Sequence, residues 1–151
     1  MPQSLVQLYV HLVFSTKNRQ PFLEDELLRD RLHAYLAGIC NNQQSPALIV
    51  GGVDDHVHLL CRLSKTLMIA DLIREVKRDS SKWVKEQDRA LAQFAWQNGY
   101  GAFSVSPTHV APLKQYIADQ EKHHASESYQ EEFRRLCKKY GVELDERYAW
   151  D

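Results

Sequence analysis

The sharpest chemical feature of the chain is a pair of histidines one residue apart, His56-Val57-His58, followed by Leu59-Leu60. Side chains alternate along a strand, so His56 and His58 share one face while Val57 and Leu59 point to the opposite, core side. Two imidazoles about 7 Å apart along one strand can converge on a single cation. Burying two unpaired imidazoles is costly, so the pair is expected in a cleft or on a metal. The plainer reading is two surface histidines on an exposed sheet face. Asp54-Asp55, just before them, reads as a tight turn.

Tyr116 and Gln120 form a second set. They stand four residues apart in a helical stretch and so share a face. Tyr116 could supply a phenol nucleophile, and Gln120 a carbonyl oxygen for a metal. Alone, this pair reads as a half-buried aromatic and a solvated amide. His123 and His124 follow at once. Either could be a ligand or an acid/base, and a partly exposed helix end is the commoner role. Trp96-Gln97-Asn98-Gly99-Tyr100 could stack on bases, or be a loop anchored by Trp96 in the core. His11 and Lys17 to Arg19 are candidate phosphate contacts. Between Arg62 and Arg89 there are eight Lys or Arg against five Asp or Glu, with Lys77, Arg78 and Lys82 among them. That local excess suits a DNA-facing patch as well as an ordinary solvated helix face.

These residues need elements to position them. Leu5 to Phe14 alternates as a strand, with Val6, Leu8, Val10, Leu12 and Phe14 on one side. Glu24 to Asn42 has helical apolar spacing and acidic residues in its first turn. Ala47 to Val53 and His56 to Arg62 read as a hairpin. A second helix, capped by Ser64 or Thr66, carries Ile69, Leu72, Ile73, Val76, Trp83 and Val84 as one stripe. Ala102 to Ser106 is a short fourth strand. A third helix runs from about Thr108 to Ala125, with Pro112 in its first turn or so. A final helix covers about Tyr129 to Tyr140 and stops at Gly141.

The order β-α-β-β-α-β followed by two helices predicts an α+β fold. It is a ferredoxin-like (RRM-like) sandwich with an antiparallel sheet, a C-terminal tyrosine-bearing helix and a final helix. Residues 1–151 are expected to form one domain: core about 5–106, tyrosine helix about 108–125, final helix and tail about 129–151. The first two helices cover one sheet face, leaving the other for the third helix and a site.

Composition narrows the class. The 151 residues are 44% hydrophobic and 26% charged, as in a folded globule of one domain. Cys40, Cys61 and Cys137 are odd in number and far apart, against a disulfide framework or zinc knuckle and in keeping with a reducing cytosol. No basic, apolar leader opens the chain and no apolar run approaches about 20 residues, so no membrane span is expected. A net charge of −1 argues against a passive nucleic-acid coat protein but leaves room for a local basic patch.

Four segments together resemble the HUH-type single-tyrosine transposases of the insertion sequence 200/605 family, including relatives associated with repetitive extragenic palindromes. They are Tyr9-Val10-His11-Leu12-Val13-Phe14-Ser15-Thr16-Lys17-Asn18-Arg19, Asp54-Asp55-His56-Val57-His58-Leu59-Leu60, Trp96 to Tyr100 with Phe103-Ser104-Val105-Ser106, and Tyr116-Ile117-Ala118-Asp119-Gln120-Glu121-Lys122-His123-His124. The resemblance spans about residues 8–125. It implies a ferredoxin-like core and a homodimer in which the tyrosine helix often docks against the partner's histidines. It implies His56, His58 and Gln120 as ligands of Mg2+ or Mn2+, and Tyr116 as the nucleophile. The substrate would be single-stranded DNA with hairpin ends, cut and rejoined through a 5′-phosphotyrosine. The place would be the nucleoid in a prokaryotic cytoplasm, with no organic cofactor.

Two other readings share these residues. A metal-dependent phosphodiesterase or nuclease could use the same histidines. A histidine-triad hydrolase would want a third alternating histidine where Leu60 stands, and a two-motif phosphodiesterase a second His-x-Ser/Thr strand, for which His109 beside Pro107 is poorly placed. A non-catalytic nucleic-acid-binding ferredoxin-like domain would expose aromatics on its central strands, where Tyr9 alone qualifies.

Overall fold

A computed structural model describes residues 2–151. Its order is β1 (Leu8–Ser15), α1 (Glu26–Asn42), β2 (Ala47–Gly52), β3 (His56–Leu63), α2 (Ile69–Gln87), β4 (Gly101–Val105), α3 (Val110–Ala118), α4 (Gln120–His123) and α5 (Tyr129–Lys139). The four strands form one antiparallel sheet in the order β2-β3-β1-β4. The expected ferredoxin-like arrangement is present, with β1 and β3 at its centre.

The alternation read in β1 sorts the two faces. Val10, Leu12 and Phe14 join Val57, Leu59 and Cys61 in the main core, under α1 and α2. Asp25 caps α1, its carboxylate accepting from the Leu27 and Leu28 amides. The stripe of α2 supplies Leu72, Ile73, Val76 and Val84 to the same core. The expected Ser64 or Thr66 cap is not used. The helix starts at Ile69, and the two hydroxyls bond to each other at 3.1 Å in the preceding turn. The strand begins at Leu8, where pairing with Leu63 starts, later than expected, and Leu5 and Val6 before it are exposed.

His11, Val13 and Ser15 point to the other face, in register with Leu60, His58 and His56. Two helices cover that face side by side. α3 lays Leu113 and Ile117 on Leu60 and Val105. α5 lays Tyr129, Phe133 and Leu136 on Val13 and Phe103. Both docks need glycine. A Cβ on Gly51 would stand 2.6 Å from the Ile117 carbonyl oxygen, and one on Gly101 would stand 2.7 Å from the Phe133 ring. The histidine pair lies in the seam between these helices.

The single third helix expected over 108–125 is broken. A 3-10 turn (Pro107–His109) precedes α3, and Asp119, at φ −96° and ψ 21°, separates α3 from α4. Past the break, Gln120 opens α4 and is buried. After α5, Gly141 takes a positive φ of 68°, the left-handed conformation that closes a helix.

Candidate active site

Strand β3 presents His56 and His58 as the alternation predicts, on the face away from the main core, and both are fully buried. Their ring centroids lie 5.2 Å apart. Gln120 comes in from the start of α4, with Oε1 3.1 Å from His56 Nε2. Tyr116 comes in from α3, its ring 6.0 Å from that of His58. Four residues singled out from two segments of the sequence, carried on β3, α3 and α4, therefore meet in one place within one chain.

At their centre lies a carboxylate that sequence reasoning did not select. Glu132 of α5 is fully buried. Its Oε1 is 2.9 Å from His58 Nε2, 3.0 Å from His124 Nε2 and 3.2 Å from His56 Nε2. Its Oε2 accepts hydrogen bonds from the Gln120 amide, at 3.1 Å, and from the Tyr116 hydroxyl. A signal for it did exist. Tyr129, Glu132, Phe133 and Leu136 follow helical spacing, so a charge sits on an otherwise apolar stripe. The reason that charge is tolerated there is the imidazoles opposite it, which only the fold supplies.

The surrounding bonds orient the ligand atoms. Asp55 does more than turn the chain: its carboxylate is 2.6 Å from His56 Nδ1. Burial opposes charge on His56, but Asp55 and Glu132 outweigh it and push its pKa up to about 9. Without metal, His56 is then an imidazolium donating from both nitrogens. His58, equally buried, is lowered by burial against the pull of Glu132. Burial also pushes Glu132 toward protonation, yet His58, His124 and His56 together hold it ionised far below the carboxylate range. Burial and then Glu132 raise the Tyr116 phenol above its ordinary value, with Arg135 opposing. Arg135 Nη2 donates to the Tyr116 oxygen at 2.8 Å.

The donor set fits a divalent cation. One ligand atom from each of His56, His58, His124 and Glu132 lies within 4.8 Å of the others. His124 Nε2 is buried without a hydrogen bond, its 3.0 Å approach to Glu132 being badly aligned for one. A buried imidazole nitrogen without a hydrogen bond, beside a carboxylate and two further imidazoles, has the chemistry of a metal ligand. His124, expected as a helix end, thus belongs to the cluster, whereas His123 lies tilted against the Tyr116 ring, 4.5 Å between centroids.

The candidate phosphate contacts scatter. His11 is fully buried, with Nε2 2.8 Å from His58 Nδ1, so it orients a site histidine and cannot face DNA directly. Lys77 has its Nζ on the carbonyls of Gln97, Asn98 and Gly99, at 2.7–3.2 Å, and braces that loop. Burial lowers its pKa to about 8. Arg78 is exposed and paired with Glu75 and Asp79. Lys82 is exposed. Lys17 lines an open hollow of about 410 Å3 with Asn18, Gln20 and Lys85, while Arg19 sits 6.0 Å from the Trp150 ring. Trp96 is a core residue bonded to Ser80 through Nε1 at 2.9 Å, and Tyr100 is exposed.

Residues 4–120 match the family model described as "Transposase IS200 like". The chain belongs to this transposase family. The matched span holds β1, the histidine pair, Tyr116 and Gln120, but ends before His124, Glu132 and Arg135. Among solved structures, the transposase is similar to a candidate transposase from Deinococcus radiodurans R1, at 25% identity and a TM-score of 0.61, covering 80% of this chain and 95% of that one. It also resembles in fold a REP-associated tyrosine transposase bound to a REP hairpin, at 12% identity and a TM-score of 0.58, covering 82% of this chain and 73% of the other. A comparison with curated proteins found no match. No helix among the described residues is long and apolar enough to cross a membrane.

Proposed function

We propose that this transposase cuts and rejoins single-stranded DNA by transesterification through a 5′-phosphotyrosine at Tyr116. His56, His58, Gln120 and Glu132 would hold a divalent cation, Mn2+ or Mg2+, with His124 completing the set. The observation that carries the reading is that the Tyr116 hydroxyl and the His58 imidazole share one buried carboxylate, that of Glu132.

A phosphodiester is already anionic, and attack on it builds more negative charge. A bound divalent cation supplies Lewis-acid polarisation of a non-bridging oxygen. Mixed imidazole and carboxylate donors suit Mn2+, and Mg2+ where waters fill the remaining positions. The chain itself does the rest. α3 and α5 clamp Tyr116 so that its oxygen faces the site with few conformations to lose. Glu132 Oε2 accepts the phenol proton's hydrogen bond, and the raised phenol pKa keeps that proton in place at rest. As the Oη–P bond forms, the oxygen loses its basicity and becomes strongly acidic, so that its proton passes along the hydrogen bond to Glu132 Oε2 and on to solvent. The P–O3′ bond breaks and the leaving 3′ oxygen takes a proton. The phosphotyrosine ester retains the bond energy, so a second 3′-hydroxyl can attack it and reseal DNA without ATP. A water nucleophile would lose that energy.

The REP-associated relative is bound to a REP hairpin, and a hairpin-bearing single strand is proposed here. Lys17, on the open hollow, and Arg19, two residues on, are the proposed strand contacts among the six basic or histidine positions first singled out, and the place is the nucleoid of a prokaryote. A homodimer is proposed from the family resemblance, and the position of Tyr116 on its own histidine pair favours catalysis in cis. The decisive test incubates the protein with a pool of single-stranded oligonucleotides and Mn2+ on denaturing gels. DNA attached to wild-type protein and absent from Tyr116→Phe, with DNA binding retained, supports the reading. Metal-dependent cleavage that persists undiminished in Tyr116→Phe refutes it in favour of a phosphodiesterase.

A further inference from the structure

The Tyr116 hydroxyl has a second neighbour besides Glu132. Arg135 lies one helical turn after Glu132 on α5 and donates Nη2 to that oxygen at 2.8 Å. Its guanidinium carbon stands 5.6 Å over the Tyr116 ring. Nε and Nη2 also bind the two oxygens of Glu127, each at 3.0 Å, which fixes the plane of the fork. Neither contact uses Nη1.

Beside this group, α3 and α5 leave a small cleft of about 100 Å3, whose walls include His109, Pro112, Tyr116, Arg135, Lys139 and Tyr140. It opens to solvent beside the Tyr116 ring, where a phosphate group of a DNA strand can approach. No carboxylate lines it, in a chain of net charge −1. Lys139 lies over the Tyr140 ring, 5.5 Å from its centre, with its stem on the cleft wall. Arg135 thus stands beside the phenol oxygen with Lys139 on the same cleft, while Glu127 holds the far edge of the guanidinium and leaves Nη1 free of these contacts.

Resting on the reading of Tyr116 as nucleophile, we propose that this cleft is a phosphate seat. Arg135 grips a non-bridging oxygen of the diester that Tyr116 attacks, and Lys139 and His109 extend the same surface along the strand. A planar guanidinium can hold the phenol oxygen and a phosphate oxygen together, because its donors diverge in a fixed fork. Arg135 then acts on the reacting atoms themselves. There it would stabilise the negative charge that develops on the phosphate during attack.

Two measurements test this. The first follows single-turnover adduct formation on the single-stranded DNA pool with Mn2+. Arg135→Gln should slow it by on the order of 100-fold or more, the usual cost of losing one transition-state donor. Arg135→Lys should recover part of the rate, and Mn2+ affinity should stay within about twofold, because no metal ligand has changed. Glu127→Gln, which removes only the brace, should retain most of the rate. A loss in Glu127→Gln as deep as that in Arg135→Gln would make Arg135 a structural strut and overturn the proposal.

The second measurement separates this proposal from the nucleophile assignment. DNA affinity is compared between Tyr116→Phe and Tyr116→Phe/Arg135→Gln over a salt series. Removal of one phosphate contact to a single strand should weaken binding and shrink the log–log salt slope by about 0.7. If that change appears while wild-type protein forms no adduct, the seat stands and the nucleophile reading falls. If affinity and slope are unchanged, the seat falls, whatever the adduct assay shows.

Discussion

Glu132→Gln is the sharpest perturbation of the site, because it removes one charge and almost no volume. The wild-type carboxylate faces three imidazole nitrogens at 2.9–3.2 Å and is the one anion in the proposed ligand set. Loss of outer-shell partners alone typically costs 10–100-fold in metal affinity, so a lost anionic ligand should cost at least about 100-fold. Ligand linkage converts this into a thermal shift. At Mn2+ equal to about 100 times the wild-type Kd, binding stabilises the wild type by about 2.7 kcal/mol, while a variant with 100-fold weaker affinity gains about 0.4 kcal/mol. For a domain of this size each kcal/mol moves Tm by about 2–4 °C, so the wild type should rise by about 5–11 °C and the variant by about 1–2 °C. The metal-free variant should start lower, since His56 loses one of the two carboxylates that keep it charged. The assay is thermal melting against Mn2+ concentration, with electron paramagnetic resonance counting free Mn2+. An equal Mn2+-induced rise in Glu132→Gln would show that Glu132 is not a ligand. The cluster would then be a buried ion-pair network.

Other outcomes follow from the same geometry. His58→Ala should depress DNA cleavage strongly at every Mg2+ or Mn2+ concentration tested, since it removes a ligand and not merely affinity for one metal; normal activity would show the pair to be idle. The raised pKa of His56 stabilises the metal-free fold fully below 6.5, and that stability drains as pH rises through about 9. A rise from 6.5 to about 9 corresponds to roughly 3 kcal/mol, to be read from denaturant titrations across that range. His58 and His11 work in the opposite sense: burial keeps them neutral, so acidification below 6.5 also destabilises. Because the His56 proton must leave for metal to bind, Mn2+ affinity should climb with pH up to about 9, measurable by calorimetry in buffers of different ionisation heat. Gly51→Ala should push α3 off β2, since its Cβ would meet the Ile117 carbonyl at 2.6 Å. A displaced Tyr116 should slow adduct formation on the order of 100-fold while Mn2+ binding is largely kept.

The parts of this protein that repeat along the chain were legible from sequence alone. Alternation placed Val57 and Leu59 in the core and His56 with His58 on the other face, because strand geometry leaves a side chain two choices. Helical spacing likewise found α1, α2 and α5, and the order of elements found the sandwich. Tyr116 and Gln120 were legible as a pair, though the break at Asp119 between them was not, since no proline or glycine marks it. The environment of each charged group was decided only in three dimensions. Glu132 is one acid among many in the sequence, and His11 and Lys77 looked as available to DNA as Lys17. Whether a charge faces water, a carbonyl or three imidazoles depends on which helix lies across which strand. Here α5 folds back over the sheet and brings a carboxylate from outside the family-matched span to the centre of the site. Local periodicity carries no record of that contact, because the free energy that favours it comes from partners more than 70 residues away in the chain.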